Sequence, residues 1–256
     1  MATRAIGPEG QADDRQFFLA SALAMAAVLV AGFSLNIVMG RSSFGAPTLV
    51  HAHALVFFGW VVLYVVQNLL VARGSYALHR QLGWIGAFWV VAMIVLGCLA
   101  TLAMVRRGGV PFFFLPQQFL VFDPATLFGF AALTYAAIAL RRHSDWHRRL
   151  NFCAMTLLLG PGFGRLLPMP LLTPYAFEAA FFAGLIFPAA GMVADIRRTG
   201  RIHPAWHWGL GAILLTAVAI ELVTFSPLGD ALYRAATMGS MGESVAPLAY
   251  PAPPAG

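Results

Sequence analysis

Ionisable side chains inside long apolar segments are the residues of this sequence best suited to bind a ligand. Such groups are costly at membrane depth, so they usually face a bundle interior or a water-filled cavity. Imidazole and carboxylate groups together suit zinc, copper, iron or manganese. The sequence therefore predicts an outer-leaflet pocket for a divalent transition metal or a small polar ligand. At about 1.5 Å per helical residue, six side chains fall in the outward half of their segments: His51, His53, Asp123, Arg165, Glu178 and Glu221.

The segment GPGFG, residues 160–164, directly precedes Arg165 and supports such a pocket. Glycine and proline interrupt a helix, and broken helices at membrane depth often line binding sites. The alternative is a structural role, in which Arg165 pairs with Glu178 and the other polar groups reach the headgroup boundary. His51 and His53 point about 200° apart on an ideal helix, so they converge on one ion only if the helix begins at or after them.

A polar and aromatic stripe follows the second apolar segment. His53, Phe57, Trp60, Tyr64 and Gln67 recur at helical spacing and share one face. The indole N–H and the phenol O–H need partners near the middle of a membrane, so this face is predicted to look into the bundle. It forms either an ordinary packing face or the wall of a cofactor site.

An arginine followed six positions later by a histidine occurs three times: Arg73 and His79, Arg141 and His147, Arg197 and His203. These histidines begin apolar segments at similar heights, and a b-type haem needs axial histidines on facing helices with arginines near its propionates. The sequence thus offers a membrane electron carrier using His79 and His147, or His203, as an alternative function. The competing interpretation is that loops on the positively charged side collect arginine and histidine, which contact lipid phosphate.

The elements that position these residues are predicted to be seven transmembrane helices. Sixty per cent of the 256 residues are hydrophobic and ten per cent are charged, a balance that requires lipid as the solvent. A span needs about 20 apolar residues, and the continuous runs exclude the alternation of barrel strands. The expected fold is an all-α integral membrane bundle with spans at residues 17–38, 50–71, 82–105, 117–140, 151–167, 175–194 and 207–225.

The arginines predict the orientation, because all 16 basic residues are arginine and most lie between alternate spans. The bias places the N-terminus inside and the C-terminus outside a bacterial inner membrane, with three tandem helical hairpins after the first helix. Residues 1–16 are expected to be a polar cytoplasmic N-terminus, residues 17–226 the membrane domain, and residues 227–256 a disordered Pro/Ala-rich tail. The expected partners are the lipid bilayer and other membrane-protein subunits, without nucleic acid. An accessory subunit of a larger membrane complex is therefore a third hypothesis, and enzymatic activity is left undecided.

The segments HAHALVFFGWVVLYVVQNLLVARGSYALHRQLGWIGAF and WHRRLNFCAMTLLLGPGFGRL resemble a family of bacterial multi-span membrane proteins. The shared positions would be His51, His53, Trp60, Gln67, His79, Arg80, Leu82, Gly83, Asp123, His147, Arg149, Leu150 and Arg165. The resemblance covers the second to fifth spans, implies a multi-span fold and names no reaction. A weaker similarity to b561-type haem-binding bundles implies histidines at both faces of a helical core, whereas the outer histidines here lie only on the second span.

Overall fold

A computed structural model describes residues 8–41 and 45–253, and within these ranges the fold is all-α with no strand. The helices are α1 (Pro8–Val38), α2 (Thr48–Ala72), α3 (Tyr76–Arg106), α4 (Pro116–Ala139), α5 (Ser144–Leu157), α6 (Gly160–Leu166), α7 (Ala176–Ala183), α8 (Ile186–Thr199), α9 (Pro204–Thr224) and α10 (Pro227–Thr237). Short 3-10 turns follow α6 and α10. Each Arg-x5-His copy lies at a junction between two helices: α2 and α3, α4 and α5, α8 and α9.

Six helical segments among the described residues are long and apolar enough to cross a membrane, where the sequence predicted seven. They are α1 from Asp14, α2, α3, α4, α7 with α8, and α9. The predicted fifth span is instead divided into α5 and α6, because Gly160 and Pro161 interrupt the helix after Leu157. Proline lacks the N–H that would continue the helical ladder, and glycine adds backbone freedom.

The broken pair α5 and α6 lies in the middle of the bundle. Helix α5 packs against α4 and α9, while α6 packs against α1 and α7. Phe152 of α5 is fully buried and forms ring contacts with Phe18 of α1 and Trp206 of α9. Gly191 of α8 leaves room for the Trp206 ring, since a Cβ there would lie 2.3 Å from it. Aromatic packing thus fixes α1, α8 and α9 around α5.

Both ends of the chain differ from the sequence prediction. Helix α1 begins at Pro8, inside the region expected to be a polar N-terminus, and residues 1–7 lie outside the described ranges. Residues 227–253, expected to be disordered, carry α10 and a further 3-10 turn. Gly229, Tyr233 and Thr237 recur every fourth residue on the buried face of α10, which packs against α3, α4 and α9. The final residues 254–256 of the predicted tail are not among those described.

Candidate functional sites

Two of the three candidate haem ligands meet near the starts of α3 and α5. The rings of His79 on α3 and His147 on α5 lie 6.2 Å apart between centroids, with an interplanar angle of 86°. His147 Nδ1 donates a hydrogen bond to the carbonyl oxygen of Ala137 at 2.8 Å. Because Nδ1 carries the proton of this bond, the ring lone pair lies on Nε2, and the Asn151 amide nitrogen is 3.4 Å from it.

Polar groups of neighbouring helices surround this histidine pair. The Asn151 amide nitrogen donates to the His147 carbonyl at 3.1 Å and lies 3.4 Å from both ring nitrogens. Within the described chain, Gln67 Oε1 is buried and has no hydrogen-bond partner. On α2, Trp60 and Tyr64 are buried, and Trp60 packs edge-on against Phe130 at 5.1 Å. In the pair, the His147 ring is held by the Ala137 carbonyl and the His79 ring by the Gln67 backbone.

His203, the third candidate ligand, has a different role. Its Nδ1 accepts a hydrogen bond from the Ala205 backbone N–H at 3.1 Å and so caps the N-terminus of α9. Its ring packs edge-on against Trp146 at 5.5 Å. Burial lowers the pKa of His203 below 6.5, the nearby Arg149 guanidinium lowers it further, and Asp145 and Asp195 partly oppose these effects.

Acidification is expected to destabilise the protein through this cap. Because the pKa of His203 is lower in the folded state, the unfolded chain binds the proton first as pH falls below 6.5. The stabilisation is therefore fully present above pH 6.5 and is lost as pH falls through the folded pKa. Protonated Nδ1 also cannot accept the Ala205 N–H, and the positive charge opposes the helix dipole. Asparagine also caps helices but does not titrate, so His203→Asn should flatten the fall in melting temperature between pH 7.5 and 5.

The control for this prediction is His143→Asn, since His143 is exposed and its side chain makes no cap hydrogen bond. The pH dependence of the His143 variant should match that of the parent protein. An unchanged pH dependence in His203→Asn would contradict the assigned role of the cap.

A network of buried ion pairs, which the sequence analysis did not predict, lies beside these histidines. Arg149 on α5 is 3% exposed and forms a bidentate pair with Asp195 on α8, from Nε to Oδ2 at 2.9 Å and from an NH2 nitrogen to Oδ1 at 2.5 Å. Asp195 Oδ2 also accepts from Trp206 Nε1 at 2.8 Å and from the His203 backbone N–H at 3.2 Å. Four donors thus hold a carboxylate that is 1% exposed.

Asp14 extends the network to α1. Its carboxylate pairs with Arg148 on α5 and with Arg198 on α8, the latter at 2.6 Å, and the residue is 2% exposed. Arg148 also pairs with Asp145. The sequence pattern suggested that these arginines contact lipid headgroups. Aspartate is rare in so apolar a chain, and this rarity was the available sign that the aspartates pair with arginines.

Three of the predicted outer residues form one group. Asp123 on α4 accepts a hydrogen bond from Thr101 Oγ1 at 3.1 Å and interacts electrostatically with Arg165 on α6. Arg165 also interacts electrostatically with His53 on α2, and its guanidinium stacks on the Phe33 ring at 4.0 Å. The NH1 group of Arg165 donates to the Pro161 carbonyl at 2.8 Å, so the helix break orients this side chain.

The other outer residues lie around a second centre. Glu178 on α7 and Glu221 on α9 interact electrostatically with each other and with Tyr250. Gln118 Nε2 donates to Glu221 Oε1 at 2.9 Å, and the Tyr250 hydroxyl donates to the Pro174 carbonyl at 3.1 Å. His51, the remaining member of the predicted set, is exposed at the start of α2.

The positions of these outer residues do not support the hypothesis that they bind a divalent metal ion. Over residues 8–41 and 45–253, three or more histidine, cysteine, aspartate or glutamate side chains do not gather where they could hold a metal ion.

The fold and its composition define the class: an α-helical protein with six apolar segments able to cross a membrane, consistent with a polytopic membrane protein. Comparison with protein-family models, curated proteins and solved structures finds no match to this chain.

Proposed function

We propose that this protein is a b-type haem carrier of the bacterial inner membrane, with His79 and His147 as axial ligands. The observation that carries the proposal is the closeness of two imidazoles from different helices, α3 and α5, whose centroids are 6.2 Å apart. Imidazole nitrogen binds a transition metal at about 2 Å, so two rings on opposite sides of one ion have centroids about 6 Å apart. Two protein ligands are also the number that a haem iron requires, because the porphyrin supplies four nitrogens.

The hydrogen bonding of His147 supports the same assignment. A ligating histidine usually donates its other ring N–H to a carbonyl or carboxylate, which fixes the tautomer and the ring orientation. The Ala137 carbonyl takes that position for His147, and the Gln67 backbone is hydrogen-bonded to the His79 ring. Bound haem would supply reversible one-electron chemistry. The chain itself would hold the iron and keep it away from bulk water. The hydrogen bonds to the two histidine rings would tune the reduction potential of the iron.

A seven-crossing topology with a cytoplasmic N-terminus is part of the proposal. Ion pairs join Asp14 near the start of α1 to Arg148 near the start of α5 and to Arg198 near the end of α8. These three positions share one membrane face only if α5 and α6 together make one crossing. At about 1.5 Å per residue, residues 144–166 extend about 34 Å, which is sufficient for a hydrocarbon core of about 30 Å.

The test is the absorption spectrum of the full-length protein purified from a haem-replete host. A haem held by two histidines should give a Soret band that sharpens and shifts on reduction, with about one haem per chain. A preparation without a Soret band would overturn the proposal.

A second candidate function is the binding of a small polar ligand at the outer group of Asp123, Arg165 and His53. The observation that favours it is the presence of two buried nitrogens, Arg165 Nε and His53 Nδ1, without hydrogen-bond partners in the described structure. Both side chains belong to the same electrostatic cluster. A ligand with carboxylate or phosphate oxygens would supply the acceptor that Arg165 Nε lacks, and a hydroxyl of the same ligand would donate to His53 Nδ1. The accessory-subunit hypothesis has no comparable observation in its favour, so we do not propose it.

Arg165→Gln is expected to abolish ligand stabilisation at this outer site. A ligand at 100 times its Kd stabilises a folded protein by about 2.7 kcal/mol, which is readily detected as a rise in melting temperature. Acetate, succinate, malate and phosphate are suitable probes. At least one should stabilise the parent protein and the control Arg234→Gln, whose arginine is exposed on α10, but not Arg165→Gln. Equal shifts in all three proteins, or none in any, would contradict the assignment.

A further inference from the structure

A groove between α3 and α4 opens on the lipid-facing side of the bundle and has a volume of about 430 Å³. Small side chains, including Ala87 and Ala131, form its floor. Trp84 and Tyr135 flank it and are 56% and 75% exposed. Tryptophan and tyrosine at such positions typically contact the region where acyl chains meet headgroups.

This groove carries two polar groups, Arg141 and Thr134, which lie at different depths. Arg141 lies at its inner end, where NH1 donates to the Ile138 carbonyl at 3.2 Å and the guanidinium carbon is 5.9 Å from the Trp84 ring centroid. Thr134, one helical turn deeper than Ile138, is 4% exposed, and its hydroxyl finds no hydrogen-bond partner among the described residues. Such a buried, unpartnered donor is costly unless a ligand pairs with it.

We propose that this groove holds one anionic phospholipid, with its phosphate on Arg141, an ester carbonyl on the Thr134 hydroxyl, and an acyl chain along the alanine floor. The order of the polar groups matches the lipid, because the ester carbonyls of a glycerophospholipid lie directly below its phosphate. At about 1.5 Å per residue, the four residues from Thr134 to Ile138 separate the two levels by about 6 Å.

The charge at the mouth of the groove selects an anionic over a zwitterionic lipid. Arg141 and Arg142 are both exposed there, and Asp145, the closest acid in the sequence, already pairs with Arg148. A zwitterionic headgroup would bring its own cation toward these arginines, whereas an anionic headgroup does not. This site is independent of the proposed haem, since it uses neither histidine.

The test uses fluorescence quenching by phospholipids with brominated acyl chains, which quench only tryptophans that they contact. The full-length protein is reconstituted in nanodiscs containing a small fraction of brominated phosphatidylglycerol or brominated phosphatidylcholine. Subtracting the signal of Trp84→Phe isolates Trp84. Because an arginine near an anionic surface contributes about 1 kcal/mol, phosphatidylglycerol should occupy the groove about fivefold more readily than phosphatidylcholine.

Matched variants separate the proposed contacts from general surface charge. Arg141→Gln should reduce quenching by phosphatidylglycerol to the level of phosphatidylcholine, and Thr134→Val should weaken quenching by both lipids. Arg197→Gln, which removes an exposed arginine at the end of α8, should leave the preference unchanged. Equal quenching by the two lipids, or a preference that survives Arg141→Gln, would overturn the proposal. Absence of Trp84 quenching would show that no lipid occupies the groove and would also overturn the proposal.

Discussion

Replacement of Arg149 by leucine is expected to lower the free energy of unfolding by about 3–5 kcal/mol, because removing one partner of a buried ion pair leaves the other charge uncompensated. The remaining charge would be the carboxylate of Asp195, which is 1% exposed. Its bonds from Trp206 Nε1 and the His203 backbone N–H would persist, but neither donor carries a positive charge. The remaining cation, Arg198, is farther away, 3.5 Å from Asp195 Oδ1, and is shared with Asp14.

Denaturation of the detergent-solubilised protein, followed by far-UV circular dichroism, measures this effect. Arg197→Leu is the matched control, since Arg197 is exposed two residues from Asp195 and should change stability by no more than about 0.5 kcal/mol. Replacing both Arg149 and Asp195 by leucine should cost much less than the sum of the single changes, because the double variant buries no unpaired charge. Similar stabilities of Arg149→Leu and Arg197→Leu would contradict the role given to the network.

Sequence patterns were sufficient for the apolar helices but not for the pairing between them. Continuous apolar runs predicted the helical fold because helix formation in lipid depends on local hydrophobicity and backbone hydrogen bonding. The pair Arg149 and Asp195 joins residues 46 positions apart, and it forms only because α5 and α8 pack at one height. No local pattern distinguishes an arginine that meets such a partner from one that contacts a lipid headgroup.

The C-terminal region shows a different cause of error, because its composition concealed local helix signals. Ser226 caps α10 by accepting the Gly229 N–H, Pro227 begins the helix, and Asp230 lies in its first turn. These are ordinary signals for a helix start. Gly239, with a φ of 66°, provides the left-handed residue that commonly follows a helix end. The surrounding alanine, proline and glycine residues outweighed these signals in the prediction of disorder.

Residue spacing does not determine which of the candidate side chains meet. His79, His147 and His203 were equivalent by spacing, yet the structure brings together only the first two, and His203 caps α9. The six outer residues were predicted to share a depth, but five of them divide between Arg165 and the Glu178–Glu221 pair, and His51 lies at the start of α2. Depth along a helix follows from residue number, whereas direction around the bundle depends on how neighbouring helices rotate and pack.

Alanine at either His79 or His147 should remove most of the bound haem. Each substitution deletes one of two axial ligands, and changes even to the partners of metal ligands commonly cost 10–100-fold in affinity. We therefore expect haem content to fall at least about tenfold. Haem that remains should be high-spin, because only one strong axial ligand would be left. Haem extraction and quantification relative to protein measures the loss.

His143→Ala is the control for this experiment, because His143 lies at the same α4–α5 junction but is exposed and four residues before His147. Its haem content should equal that of the parent protein. If the three alanine variants lose haem to the same extent, the loss reflects damage to the junction, and the ligand assignment is wrong.

Electron paramagnetic resonance of the oxidised full-length protein tests most directly whether His79 and His147 bind one iron between them. The two rings are nearly perpendicular, with an interplanar angle of 86°. We therefore predict the strongly anisotropic low-spin signal of a haem with two perpendicular imidazole ligands. A high-spin signal, or a protein without haem iron, would contradict the proposed function.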